Sequence, residues 1–349
     1  MFKEILLDEN IELYRDYYDR ATFKTIYHHP QFLLAEERAE DYNTYLYIYE
    51  ENEQYVILPS IKRRVNDIDV FANENEEYFD LVTPHEYSGV IANKFDSELI
   101  RAFFIELITY CKENSIIFGF IRFNPYRNEY KEAVNYYVMK SADQVWLDCS
   151  KDVIQDGFSK SRKRDLKNAM RLGLIGKKVE KNSNNKKVFI DLYKKSMDRL
   201  QAKKFFYFSE EYFESIFDME FSDLFFAYDS SMENILAAAI ILKDSFNKTV
   251  YYHLSCRKTD IVIPGVMELL ISTFSVAMQQ ESYKIVHLGG GATESLRKFK
   301  EKFSNKRVPY YIAYNIFDND KYRYLCSKYC EQNPECAESK FLPLYRSKE

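Results

Sequence analysis

The sequence predicts two mixed α/β halves, each a central sheet flanked by helices. Three observations carry the prediction. The chain is longer than one hydrophobic core usually supports, residues 224 to 316 read as β-β-β-α-β-α-β, and a similar hairpin, helix and strand order recurs with different letters in the first half. At 349 residues, a prior of roughly 150 residues per domain gives two cores. Their boundary is expected between residues 148 and 149.

Thr44 to Tyr49 and Gln54 to Leu58 are β-rich runs separated by Glu50-Glu51-Asn52-Glu53, and read as a hairpin whose second strand ends at Pro59. Asp96 to Asn114 is an amphipathic helix with Leu99, Phe103, Leu107 and Cys111 at a four-residue step, and the apolar strand Ile116 to Ile121 follows it. Gln144 to Leu147 is expected to close this half. A basic helix spans Gly157 to Leu174, and a second helix runs from Lys186 to Ala202. Leu224 to Tyr228, Ile235 to Leu242 and Thr249 to Leu254 then form a three-strand meander. Pro264 opens a helix to Gln280 with Met267, Leu270, Ile271, Phe274 and Ala277 on one side. Lys284 to Leu288 is a strand leading into Gly289-Gly290-Gly291, followed by a charged helix from Glu294 to Phe303 and the strand Pro309 to Ile316. A helix crossover between neighbouring strands makes them parallel, so the sheet is mixed. The looser recurrence in the first half reads as a diverged internal duplication.

The composition narrows the function. A formal net charge of −5 argues against a dedicated polyanion binder, while leaving room for local basic patches. No stretch approaches a membrane span, and Glu4 near the start is foreign to a signal peptide, so the expected location is the cytosol. Cysteines at 111, 149, 256, 326, 330 and 336 are too scattered for a disulfide framework and lack a CxxC pair, so reduced thiols and no metal site are expected. The 30 Tyr and 27 Phe against one Trp match a codon bias that raises Tyr, Phe, Lys, Asn and Ile together.

Candidate chemistry gathers in the second half. Three of the nine glycines are consecutive, directly after an apolar strand and before a helix. Such a run can bring backbone N–H groups against a carbonyl, phosphate or oxyanion at the helix N-terminus. It can equally be a tight turn with no ligand. His253 and His287 lie on strands that can be neighbours, and an imidazole suits proton removal from an amine, although a strand histidine also serves structural roles. Leu296, Phe299 and Phe303 form an apolar stripe. Lys300 beside them is either a surface lysine or an oxyanion-stabilising ammonium. Ser159 to Lys167 with Arg171 is the densest basic stretch, including Arg162, and is read either as a solvated face or as a contact for an anionic partner. In the first half, His85, Glu86 and Tyr87 between Pro84 and Gly89, and Arg122 at another strand end, are loop positions where a site can be built.

Together these residues resemble the Fem-type branch of the GNAT superfamily, over nearly the whole chain. Thr83-Pro84 with Tyr87 and Gly89 looks like its T-P-x-x-Y-x-G loop, and Lys163 to Ala169 like its basic helix motif. Tyr252-His253-Leu254-Ser255, Leu288 with the glycines, and Leu296 with Phe299-Lys300 and Phe303 look like its C-terminal signature. The resemblance implies two tandem GNAT-like (acyl-CoA N-acyltransferase) domains of α/β (α+β) class. It further implies an acyltransferase moving an acetyl or aminoacyl group from an activated donor to an amine on a sugar-nucleotide or lipid-linked cell-envelope precursor. Lys300 and His253 are then the expected catalytic residues. Gly289, Gly290, Gly291 and Arg257 are expected to bind the donor, and Tyr87, His85, Arg122, Arg162 and Tyr252 the acceptor. The stretch between the helices is too short for the coiled-coil arm that some members use for tRNA, and Arg257 to Gly265 departs from the usual GNAT pyrophosphate loop. Acyl-CoA is the favoured donor because the arm is missing and the chain is acidic. Aminoacyl-tRNA is the alternative, and a catalytically inert GNAT-fold scaffold is the third reading.

Overall fold

The computed structural model describes residues 1–348 except 41, 259–262, 292 and 305, and the side chains of residues 40 and 205 are not described. The chain divides into two compact units, Met1–Ser141 with Tyr310–Glu349, and Ala142–Pro309.

The first unit begins with β1 (Phe2–Leu6), α1 (Ile11–Arg20) and α2 (Pro30–Glu40), followed by β2 (Thr44–Glu51), β3 (Gln54–Arg64), β4 (Phe79–Val82) and β5 (Ile91–Ala92). Next come α3 (Ser97–Glu113), β6 (Ile116–Arg122) and β7 (Tyr137–Asp148), the last of which carries the chain into the second unit. Side chains alternate across the sheet as the pleat requires. Tyr47, Val56 and Leu58 pack with Leu99, Phe103 and Leu107 of α3, whereas Leu46, Ile48, Tyr55 and Ile57 pack with Tyr14 and Tyr17 of α1. Asp96 caps α3 by accepting from the Glu98 and Leu99 amides. β4 and β6 are parallel, joined through α3.

Pro59 does not end its strand, contrary to the sequence expectation. β3 runs on to Arg64, with Pro59 opposite Leu46. On its other side β3 pairs with β5 at Val56–Ile57 and with β4 from Ile61 onward. The missing N–H therefore falls where neither β4 nor β5 pairs, the kind of site where a sheet tolerates proline.

The second unit holds α4 (Lys160–Arg171), β8 (Ile175–Val179), α5 (Ser183–Leu200), α6 (Glu210–Asp218), β9 (Ser222–Tyr228), β10 (Ile235–Asp244) and β11 (Thr249–Arg257). These are followed by α7 (Val266–Gln280), β12 (Ile285–Gly289), α8 (Glu294–Glu301) and β13 (Lys306–Ile316). Its strands run in the order β7-β12-β11-β10-β9-β8, with β11 and β12 parallel across α7. Ala237, Ala239 and Ile241 of β10 face a core shared with Leu166 of α4 and Leu270, Ile271 and Phe274 of α7. Pro264 does not open α7 itself, because Gly265, at φ +91°, is the N-cap.

The two closing strands belong elsewhere than expected. Val286 of β12 pairs with Leu147 of β7, so Gln144 to Leu147 completes the second unit. Residues Ile312–Ile316 of β13 pair antiparallel with β6 and complete the first, and α9 (Asn319–Gln332) packs there through Leu325 and Tyr329. The boundary expected at 148/149 is accordingly replaced by a crossing within β7 and a return within β13. Each unit repeats the same core, an antiparallel pair leading to a parallel pair bridged by a helix, but each borrows its last strand from the other end of the sequence.

Candidate functional site

The parallel ladder between β11 and β12 is short. It joins Thr249 to Ile285, Val250 to Val286 and Tyr251 to His287, and ends there although β11 continues to Arg257 and β12 to Gly289. Two local features part the strands. Ile240 of β10 pairs with Leu254 and Ile241 with Tyr252, which makes His253 the extra residue of a β-bulge. On the other side the register of β12 against β7 shifts between His287 and Gly289. A wedge with backbone on both sides opens beyond Tyr251 and His287.

The glycines form one wall of this wedge. Gly289 and Gly291 have φ of +75° and +96°, a region that side-chain-bearing residues rarely adopt. Gly290 is buried, and a β-carbon there would meet the Gln144 amide at 2.9 Å and the Asp143 carbonyl at 3.3 Å. Thr293 caps α8 by accepting from the Leu296 amide at 3.2 Å. Gly291→Ala should destabilise the second unit by about 1–3 kcal/mol through backbone strain. The added carbon would also lie 2.8 Å from the Arg297 amide. Denaturant midpoints of the variant and the parent check this, and equal midpoints would contradict it.

Lys300 lies in the last turn of the eight-residue α8. Its ammonium stands 5.6 Å from the centre of the Tyr252 ring, which itself stacks on Phe274 of α7. The same ammonium is near enough to His287 to disfavour a second positive charge. His287, chiefly through burial and then through Lys300, is pulled down to about 3. The structure therefore brings Lys300, Tyr252 and the strand that leads into the glycines to one place.

His253 is placed differently from what a general base needs. Burial pulls it down to about 4, and its Nε2 lies 2.9 Å from the Tyr212 hydroxyl of α6. It is neutral at pH 7 but weakly basic. His28 is likewise pulled down to about 4, mainly by burial. An unfolded histidine takes its proton near 6.5, so between that pH and the folded values the unfolded chain binds more protons, and stability falls as pH drops from about 7 to 5. Denaturant melts at those two pH values should show the loss, and His28→Gln should reduce it. A pH-independent midpoint would contradict the burial of these rings as neutral groups.

Arg162 of α4 is held inside the unit. Its guanidinium bonds the Glu268 carboxylate and lies 5.0 Å from the Phe299 ring centre, the residue before Lys300. Glu268 is buried in the first turn of α7. Gly265 caps that helix so tightly against α4 that a β-carbon would stand 2.1 Å from the Asp165 carbonyl. The positive end of α7 thus already has a carboxylate and a carbonyl beside it. Arg162, expected at the acceptor, is thus placed between Glu268 and the Phe299 ring. An acid at position 268 within an apolar helix was the sequence signal for its partner. Arg257 ends β11 with an exposed side chain, its backbone fixed to the Ser196 hydroxyl by bonds of 2.9 and 3.3 Å. Its neighbours 259–262 lie outside the described residues.

The other expected residues sit in the first unit. β4 ends at Val82, and Thr83 to Gly89 leave the sheet as a loop tied down at many points. The Arg122 guanidinium donates to the Thr83 carbonyl at 2.6 Å, the His85 amide to Glu36 at 2.9 Å, and Asn124 to the Tyr87 carbonyl at 2.9 Å. His28 Nε2 reaches the Gly89 carbonyl at 3.1 Å. The Tyr87 ring is packed edge-on against Tyr27 and Tyr310. His85, Tyr87 and Arg122 thus share one loop cluster, with the buried Glu36 beneath it, a partner that the sequence did not reveal.

No family profile and no curated protein matches the sequence. Solved structures do match the fold. FemX superposes with a TM-score of 0.63 at 9% identity, over 93% of this chain and 99% of its own. The fold is that of two tandem GNAT-like domains. The C-terminal domain of a protein from Agrobacterium fabrum assigned as a lysylphosphatidylglycerol synthetase gives a TM-score of 0.59 at 13% identity, over 90% of this chain and 93% of that domain. L-PGS from Bacillus licheniformis gives 0.55 at 12% identity, over 87% and 91%. Among the described residues no helix is long and apolar enough to cross a membrane, and no three His, Cys, Asp or Glu side chains are grouped to hold a metal ion.

Proposed function

We propose that the second unit is an acyltransferase in which the donor carbonyl enters the wedge between β11 and β12. The observation that carries this reading is the end of the parallel ladder at Tyr251 and His287, with the Lys300 ammonium reaching the Tyr252 ring beside the opening. A neutral amine attacks the acyl carbon while donor and acceptor are held together, with no covalent enzyme intermediate. Negative charge develops on the carbonyl oxygen, and Lys300 with amides of Gly289 to Gly291 is suited to stabilise it. The bond to the leaving sulfur or oxygen then breaks, and the proton lost by the amine passes to His253 or a water. With His253 near 4, the water route is the more effective of the two. Tyr252 lines the wedge, and Arg162 supports α8 from below through Phe299.

Arg257 at the open end of β11 is assigned to the donor. The first-unit loop of His85, Tyr87 and Arg122 is assigned to the acceptor, an amine on a nucleotide- or lipid-linked envelope precursor. The name of a lysylphosphatidylglycerol synthetase among the similar folds is in keeping with the lipid-linked form of the acceptor.

One observation favours aminoacyl-tRNA over acyl-CoA as donor. Glu268, already paired with Arg162, and the Asp165 carbonyl occupy the start of α7, which leaves a pyrophosphate little access to that helix end. Thermal melts with coenzyme A, acetyl-CoA and charged tRNA tested separately decide between them, since a ligand of the folded state raises the melting temperature by mass action. A rise with charged tRNA alone is expected. A rise with the coenzyme A species would restore the thioester donor, and no rise with any of the three would favour an inert scaffold.

A further inference from the structure

Charge is distributed very unevenly along the chain. Between residues 160 and 204 there are sixteen Lys and Arg against four Asp and Glu, in a chain whose formal net charge is −5. Within this basic stretch, α4 ends in a tight turn. The Gly173 amide bonds the Met170 carbonyl and the Leu174 amide bonds the Ala169 carbonyl, a helix end that normally tucks its apolar residues inward. Leu174 is buried, but Met170 and Leu172 are 63% and 55% exposed.

The sheet places more apolar side chains beside them. Ile175 opens β8 opposite Tyr228 of β9, and a β-carbon on Gly173 would touch Ser230 at 3.0 Å, in the β9–β10 turn. That turn carries Met232 at φ +61°, 40% exposed. Four exposed aliphatic or thioether side chains, Met170, Leu172, Ile175 and Met232, thus project from neighbouring turns at one end of the second unit's sheet. Lys167, Arg171 and Lys177 flank them, and Arg257 ends β11 at the same edge. Two acids are close by. Asp229 is turned onto Asn234 and Ser231, and Glu233 is exposed.

We infer that this sheet end docks onto the surface of an anionic lipid bilayer, with Met170, Leu172, Ile175 and Met232 entering the headgroup region and Lys167, Arg171 and Lys177 facing the phosphates. Apolar side chains gain by leaving water at an interface, while cations just behind them are attracted by the negative surface potential. The chemistry fits a bilayer better than a nucleic acid. Single-stranded nucleic acid is recognised mainly by aromatic stacking and duplexes mainly by cations and hydrogen bonds to base edges, and this sheet end offers a cluster of aliphatic and thioether side chains ringed by cations instead. No spanning helix is needed for such contact.

The test uses the full chain with phosphatidylcholine vesicles and with phosphatidylcholine/phosphatidylglycerol vesicles in co-sedimentation. Binding to the anionic vesicles alone, weakened by salt, is expected. The exposed triple variant Met170→Ser, Leu172→Ser, Met232→Ser and the pair Lys167→Glu, Arg171→Glu should each lower it by about tenfold or more with unchanged melting temperature. Failure of the parent to bind anionic vesicles would overturn the inference, as would binding indifferent to the triple variant. It would also be overturned if the same substitutions weakened binding of a tRNA probe while vesicle binding stayed intact.

Discussion

Lys300→Met is expected to slow single-turnover acyl transfer by roughly 10²–10³-fold, the scale for losing one oxyanion donor, with little change in donor affinity. The effect should be this large because the half-buried Lys300 places its ammonium against the Tyr252 ring at the wedge, where partial shielding from water makes a charge act more strongly than on the open surface. Methionine keeps the apolar stem, so α8 should remain packed through Phe299 and Phe303. A second readout does not depend on knowing the substrates. His287 is held near 3 by burial first and by Lys300 second, so removing the ammonium should move its titration upward while leaving it below that of a free imidazole. Histidine resonances followed through a pH series would show this. Unchanged transfer in Lys300→Met would remove the residue from the oxyanion role, and an unmoved His287 would show that the ammonium does not face it.

Arg346→Ala is expected to cost about 3–5 kcal/mol, the scale for leaving one partner of a buried ion pair uncompensated. Both side chains are fully enclosed. Arg346 Nε donates to Asp80 Oδ2 at 2.6 Å and its Nη2 to the Arg64 carbonyl at 3.0 Å, while Arg63 holds the other carboxylate oxygen at 2.6 to 2.7 Å. Beside it Tyr345 is buried against Phe71 and Tyr322. The pair links the far end of the sequence to β4, so its loss should loosen the packing of α9 and lower the melting temperature by roughly 10 °C. Arg63→Ala should cost less, because the Arg63 side chain keeps contact with solvent and Arg346 still pairs with Asp80. A melting temperature unchanged in Arg346→Ala would show that the enclosed pair contributes nothing net.

Much of the second unit was legible in the sequence. The meander from 224 to 254, the α7 crossover and the strand into the glycines follow from local signals, namely apolar runs of strand length, a helical period and glycine punctuation. The same local signals located the glycine run, whereas the resemblance to the Fem-type branch singled out Lys300 and Tyr252, which the fold then brought together with it. They failed where a strand's partner is remote. Pro59 reads as a terminator unless one knows that no neighbour needs its N–H, and Gln144 to Leu147 reads as the end of the first half unless its pairing with β12 is seen. Arg162 reads as a surface cation among cations until Glu268, more than a hundred residues on, is found beneath it. His253 reads as a base until burial has set its proton affinity.

The sequence by itself determined the type and order of the meander, of α3, α4, α5, α7 and α8 and of the strands beside them, because periodicity, capping and turn chemistry act over a few residues, while β1, α1, α2, β8, α6 and α9 went unread. Only the tertiary structure decided the strand exchange between the two units, the place where the β11–β12 ladder stops, and the charge states around it. Those depend on hydrogen-bond partners and desolvation supplied by residues far away in the chain.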